Sequence, residues 1–219
     1  MSIASIILGE SGTGKTTSLR NLNKDETLLI QAIKKPLPFK GWKWRTKDTP
    51  EGNIIVSDDK DRIIHLMQKT ARKIIILDDV QYIAANEFMR RSHEKSFEKF
   101  TDIGRNLWEI LNAAGSLPDD VRVYLLWHTQ ETESGTIKAK TIGKLLDDKI
   151  TIEGMVSIVI RTRVVNGQYL FTTQNNGSDT VKVPMGMFET DQVPNDLALV
   201  DAAIRDFYSI DTMKETNHA

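Results

Sequence analysis

The chain of 219 residues contains no cysteine. Disulfides and thiolate metal sites are therefore excluded, in keeping with a reducing compartment such as the cytoplasm. Histidine is sparse too. His65, His93, His128 and His218 stand without metal-ligand spacing, which argues against a zinc centre. No apolar run approaches the roughly 20 residues that a membrane helix needs. Residues 3–8 are apolar but short, lack a basic flank and run straight into a glycine-rich turn, so they do not read as a signal peptide. A charge excess is missing as well. The formal net charge is −1, whereas dedicated duplex-DNA binders carry a strong basic surplus. Any nucleic-acid site must then be local or built by assembly of several chains. The rest of the composition, 40% hydrophobic and 27% charged, suits one globular domain with a proper core.

What is present is an alternation of apolar runs and helical periodicities. Strands are expected over residues 3–8, 27–33, 54–56, 73–80 and 122–128, with helices starting at Lys15, over 60–69 and over 97–114. Residues 34–52 read as a loop, punctuated by Pro36, Pro38, Gly41 and Pro50. Strands separated by helical stretches imply crossover connections and a mostly parallel sheet, an α/β fold. The last third differs. Residues 155–165 and 168–173 flank Asn166-Gly167, the strongest short hairpin signal. A short strand is expected at 180–183, and a helix from Pro194 to Tyr208 with Leu197, Val200, Ala203, Ile204 and Phe207 on one side. The organisation expected is one domain over 1–219: a nucleotide-binding core (1–150), a β-hairpin extension (151–190), and a C-terminal helix and tail (191–219).

Chemistry concentrates where the first strand ends. Gly9-Glu10-Ser11-Gly12-Thr13-Gly14-Lys15-Thr16, with Thr17 following, is a phosphate-loop sequence. Its glycines let the backbone wrap a β-phosphate and direct amide N–H groups at it. Lys15 reaches the β- and γ-phosphates, and the Thr16 hydroxyl ligates Mg²⁺. Magnesium takes few protein carboxylates, and Asp78, at the end of the buried run Ile74-Ile75-Ile76-Leu77, fits the second anchor. Asp79 stands where many ATPases orient the attacking water, although a purely electrostatic role is also open. His128, with Thr129 and Gln130, ends another apolar strand; it either senses the γ-phosphate or is a buried histidine satisfied by backbone.

The loop alone does not separate a hydrolase from a small-molecule kinase. Arg90 and Arg91 follow the strand that ends in Asp78, but no compact arginine-rich lid is evident. Further stretches carry a resemblance: Lys99–Asn106 (KFTDIGRN), Leu117–Val121 (LPDDV), Trp127-His128-Thr129, Thr141–Asp147 (TIGKLLD), Thr151–Gly154 (TIEG), Thr173–Gly177 (TQNNG) and Lys182–Phe188 (KVPMGMF). In this order, and over nearly the whole chain, they resemble phage-encoded RecA-like P-loop ATP-binding proteins. These are AAA-type ATPases of recombination and replication modules, related to single-strand annealing ATPases.

The resemblance implies a RecA-like core in which a neighbouring strand separates the phosphate-loop strand from the strand bearing Asp78. It implies ATP and Mg²⁺ as ligands, hydrolysis coupled to DNA transactions in a bacterial host cytoplasm, and a ring or filament of identical subunits. By the same resemblance Lys182 is the cation that one subunit inserts toward its neighbour's γ-phosphate, and catalysis rests on Lys15, Asp79, His128 and Lys182. One departure stands out, because Gln31-Ala32-Ile33 carries no acid where recombinases of this type place a glutamate. Either Asp79 or Glu131 substitutes, or hydrolysis is slow and nucleotide chiefly controls assembly, as in an adaptor or helicase loader.

Single-stranded DNA is the expected partner. Residues 34–47 interleave Lys34, Lys35, Lys40, Lys43, Arg45 and Lys47 with Phe39, Trp42 and Trp44. Cations beside aromatic faces hold single strands by phosphate pairing and base stacking. The same pattern also suits a loop that packs its tryptophans on the core, or a lid over adenine. The resemblance adds two flexible loops as DNA contacts: residues 86–95 with Arg90, Arg91 and Lys95, and residues 131–144 with Lys138, Lys140 and Lys144.

Overall fold

The computed structural model describes residues 1–41, 43–47, 49, 52–142 and 149–211. Trp42, Pro50, Lys144 with the rest of 143–147, His218 and the tail beyond Asp211 lie outside the described residues.

Among the described residues nine strands share one sheet. In chain order they are β1 (Ile3–Gly9), β2 (Thr27–Gln31), β3 (Ile54–Val56), β4 (Ile74–Asp78), β5 (Arg122–Glu131), β6 (Ile137–Ala139), β7 (Ile158–Val165), β8 (Gln168–Thr172) and β9 (Gln192–Pro194). Their spatial order is β3-β2-β4-β5-β1-β7-β8-β9, with β6 paired to β5 alone. The pairs from β3 through β7 are parallel, and β8, β9 and β6 join antiparallel. Thus β5 lies between β1 and β4.

Burial on both faces explains why the central strands read as unbroken apolar runs. In β4, Ile75 and Leu77 enter one core while Ile74 and Ile76 enter the other. Helices α1 (Lys60–Lys69), α2 (Gln81–Arg90) and α3 (Glu98–Gly115) cover the first face. They contribute Ile63, Met67, Ile83, Leu107, Ile110 and Leu111. The other face takes Leu197, Val200 and Ile204 of α4 (Leu197–Phe207), together with Leu19, Leu22 and Trp44. The Asn166-Gly167 hairpin forms as its sequence requires, with φ of 51° and 78° at the two turn residues. Its first strand pairs parallel with β1, so the hairpin belongs to the main sheet. No helix among the described residues is long and apolar enough to cross a membrane.

Several expectations are corrected. The segment after the glycine-rich loop is a six-residue 3₁₀ helix, Thr16–Asn21, in place of an α-helix. Thr16, Thr17 and Ser18 are weak helix formers, the Ser18 hydroxyl donates to the Lys15 carbonyl at 2.6 Å, and Leu22 turns extended. Residues 86–90 are helical within α2, because Ile83 and Ala84 bury one face of that helix. Residues 137–139 form β6, which continues β5 past His128 into a hairpin. Residues 180–183 make only an isolated bridge, between Lys182 and Val159. Pro194 closes β9; Asp196 caps α4 by accepting from Ala198 N at 3.0 Å. Phe207 is exposed, lying at the last turn beyond the buried stripe.

Candidate functional site

The sheet register brings the motif residues to one edge. Gly9 pairs with His128 across β1 and β5, and Gln31 pairs with Asp78 across β2 and β4. All four positions lie at the carboxyl ends of parallel strands, where open α/β sheets hold their ligands. A cleft of about 690 Å³ opens there. Glu10, Ser11, Gly12, Gly14, Lys15, Thr16 and Thr17 line it, together with Lys35, Asp79 and His128, which contact one another. Arg20, Tyr169, Pro194 and Asn195 line it as well, with Arg20 donating to the Asn195 carbonyl at 2.6 Å.

The loop is shaped by contacts that leave little room for side chains. Gly12 and Gly14 have φ of 81° and 98°, which favour glycine. A Cβ on Gly14 would stand 2.9 Å from Asn195 Oδ1 and 3.0 Å from Tyr169 Cδ1. Thr13 bonds Thr162 on β7 at 2.6 Å through their hydroxyls and donates to the Glu10 carbonyl at 2.8 Å. Gly9 is buried beneath them. Lys15 folds over this frame and donates to the carbonyls of Gly9 at 2.7 Å and Glu10 at 2.9 Å. Burial depresses its ammonium to about 8, with Asp79 and Asp78 pulling the other way.

Opposite the loop, the Thr16 hydroxyl reaches the Asp78 carboxylate at 3.1 and 3.2 Å to its two oxygens. Asp78 is 1% exposed. Burial, then the neighbouring Asp79 charge, raises it to about 6. Asp79 adopts φ of 61°, the left-handed region that a short polar side chain tolerates. Its carboxylate accepts from Lys35 Nζ and lies 3.2 Å from His128 Nε2. Burial alone would raise Asp79, but the bonds from His128 and Lys35 hold it at about 2. His128 is set in turn by its backbone N–H, which donates to Gln81 Oε1 at 3.2 Å.

The residues present suit a phosphate chain with a hard cation. The Thr16 hydroxyl and the Asp78 carboxylate are the oxygen ligands that Mg²⁺ favours, and they already touch. Among the described residues no group of three or more His, Cys, Asp and Glu could hold a metal ion. A magnesium ion would accordingly be held by this oxygen pair, water and phosphate. Among the described residues both polar atoms of the buried Asn195 side chain lack hydrogen-bond partners, and the side chain packs against Gly14 of the loop.

The sequence-derived residues are not all gathered here. Gly9 to Thr17, Asp78, Asp79 and His128 converge. Lys182 does not: its side chain is exposed and it is not among the residues lining the cleft. Trp44 is 7% exposed and meets Phe39 edge-on at 6.0 Å, so its ring packs in the core and offers no face to a base. Arg90 pairs with Asp58, and Arg91 pairs with Glu87, Glu94 and Asp102. Lys35 is in the cleft and reaches Asp79. Arg20, Arg161, Thr162, Tyr169 and Asn195 were not singled out by sequence reasoning. Arg161 lies 3.6 Å from Glu10 and 3.3 Å from Asp179. Only the hairpin signal at Asn166-Gly167 hinted that strands 158–172 would fold back beside the loop.

Fold and site together define an α/β protein with a mostly parallel mixed sheet flanked by helices, compatible with a Rossmann- or P-loop-like fold. No protein-family model matches the chain, and no curated protein matches it significantly.

Proposed function

We propose that this chain is a magnesium-dependent ATP-binding and hydrolysing protein with a RecA-like core. The observation that carries the reading is the Thr16–Asp78 contact, which joins the end of the phosphate loop to the end of β4 across the intervening β5. An oxygen pair at that place is what a nucleotide-bound Mg²⁺ requires. When bound, the metal would offset charge on the phosphates. The chain's own residues divide the remaining work. The loop amides and Lys15 hold the phosphate chain, and Asp79 with His128 orients a water. Equilibrium binding of ATP with Mg²⁺ tests this directly. Lys15→Ala is expected to abolish binding with the fold retained, and unchanged affinity would refute the assignment.

Action on single-stranded DNA in phage recombination or replication, by a homo-oligomer, extends the proposal through the resemblance. Its support on this chain is a second depression of about 620 Å³ whose lining includes Arg20, Lys24, Lys40, Lys43 and Arg45, with Asp25 paired to Lys24 at 2.7 Å and Trp44 at its border. That groove shares Arg20 with the nucleotide cleft. Binding there would rest chiefly on phosphate pairing, since Trp44 borders the groove but is only 7% exposed, and it would weaken steeply with salt. ATP turnover measured with and without single-stranded DNA tests it.

A nucleotide-switched adaptor, such as a helicase loader, is the second reading. It is favoured by Asp79, which two partners hold at about 2 and which is therefore a weak base. A kinase is the least supported, because Arg90 and Arg91 are engaged in ion pairs away from the cleft.

A further inference from the structure

We infer that Lys35 is a cation for the terminal phosphate supplied within the same chain, parked on Asp79 while the cleft is empty and transferred to the γ-phosphate when a triphosphate enters. The inference rests on the nucleotide reading of the cleft and assigns to it a residue that distinguishes triphosphate from diphosphate.

Four observations converge. Lys35 lines the same cleft as Lys15, Thr16, Asp79 and His128. Its ammonium donates to the Asp79 carboxylate, while Asp79 keeps a second contact with His128 Nε2 at 3.2 Å. Departure of Lys35 therefore leaves the buried carboxylate paired. The backbone of Lys35 is fixed from both sides. Gln31, at the end of β2, donates through Nε2 to the Lys35 carbonyl at 3.2 Å, and Pro36 restricts the chain that follows. The side chain is 39% exposed, so its four-carbon stem can swing in a solvated cleft while the main chain stays still.

Charge gives the direction of transfer. The terminal phosphate brings negative charge beside Asp78 and Asp79, and Lys15 is the other lysine in that cleft. A second ammonium at the γ end offsets charge that a diphosphate does not bring. The exchange also releases one oxygen of Asp79 to accept from water, so the acid is freed only when a γ-phosphate is present. A glutamate at Gln31 is absent from this chain, and the same strand end instead anchors the lysine that manages Asp79.

The test compares affinities for a non-hydrolysable ATP analogue and for ADP, both with Mg²⁺, in the wild type, Lys35→Met and Lys35→Arg. Wild type is expected to favour the triphosphate. Lys35→Met is expected to lose about tenfold of that preference, equivalent to about 1.4 kcal/mol, with ADP affinity within about twofold. Lys35→Arg is expected to keep most of the preference, and thermal melting in the absence of nucleotide verifies folding. Equal losses for both nucleotides, or no change in their ratio, would overturn the inference while leaving the phosphate site standing. If wild-type protein binds neither nucleotide, the reading of the cleft fails and the inference falls with it.

Discussion

His128 Nε2 lies 3.2 Å from Asp79 Oδ1, so the end of β5 holds the residue that follows β4 in a left-handed backbone conformation with φ of 61°. The carboxylate is fixed by contacts on two sides, from His128 and Lys35, while its backbone sits in the left-handed region.

That relationship separates backbone from side-chain effects at one position. Asp79→Gly and Asp79→Ala both remove the carboxylate, and only alanine keeps a Cβ in the left-handed region. Unfolding free energy from denaturant titration is expected to be about 1 kcal/mol higher for Asp79→Gly than for Asp79→Ala. Equal stabilities would mean that the backbone relaxes freely. Turnover is expected to be lost in both, with nucleotide binding retained.

Asp78 predicts a conflict between stability and function. Burial raises its folded-state value to about 6 from 3.8, so the folded state holds the proton more tightly than the unfolded one. That contribution is complete below 3.8 and disappears as pH rises through about 6. Asp79, lowered to about 2, acts oppositely: its contribution is present above 3.8 and is lost as pH falls through about 2. From 3.8 to about 6 Asp78 therefore sets the slope. Asp78→Asn is expected to stabilise the nucleotide-free protein at about pH 7.5 by about 1–3 kcal/mol and to flatten stability between about pH 4 and 6. It is also expected to remove the Mg²⁺ dependence of nucleotide affinity. Denaturant midpoints across pH, with and without Mg²⁺, measure both. A less stable Asp78→Asn would contradict the burial account.

Much of this was legible in the sequence, for reasons that differ by residue. The central strands announced themselves because burial on both faces leaves runs such as Ile74–Leu77 with no polar interruption. The loop Gly9–Thr16 was legible because its glycines and lysine are dictated by local backbone geometry. The role of Lys35 was not, since a lysine beside aromatics reads as a surface cation until the sheet register brings Gln31 level with Asp78. Trp44 misled in the other direction: adjacent lysines suggested a stacking face, whereas the ring fills the core beside Leu22 and Ile54. Asn195 and Tyr169 reach the loop only because β8 and β9 extend the sheet beyond β7, a tertiary fact with no local signature.

The other face of the sheet carries a buried ion pair whose disruption has a calculable cost. Arg122 on β5 grips Asp201 of α4 through two bonds of 2.9 and 3.0 Å, and the Tyr124 hydroxyl donates to the same carboxylate at 2.7 Å. Asp201→Ala leaves the guanidinium buried without its partner and is expected to cost about 3–5 kcal/mol. The double change Arg122→Met with Asp201→Leu removes both charges and is expected to recover part of that loss, less the cost of leaving the buried Tyr124 hydroxyl without its acceptor. Thermal and denaturant unfolding of the wild type and the two variants decide it. A double variant no better than Asp201→Ala would show that packing at α4, not the unpaired charge, dominates.

Lys182 and Lys35 are rival candidates for the cation at a terminal phosphate under the proposed function. The Lys182 main chain is tied to Val159 by bonds of 2.9 and 2.7 Å, while its exposed side chain is not among the residues lining its own chain's cleft. Any role at a γ-phosphate must therefore be played in a neighbouring subunit, and must depend on assembly. Lys182→Ala is expected to leave ATP affinity unchanged at concentrations where the chain is monomeric. If the cation acts between subunits, turnover per chain rises with protein concentration in the wild type, and Lys182→Ala flattens that rise. Turnover that is independent of concentration in both proteins would assign the terminal phosphate to Lys35 alone, because that lysine is already in reach of the site without a partner.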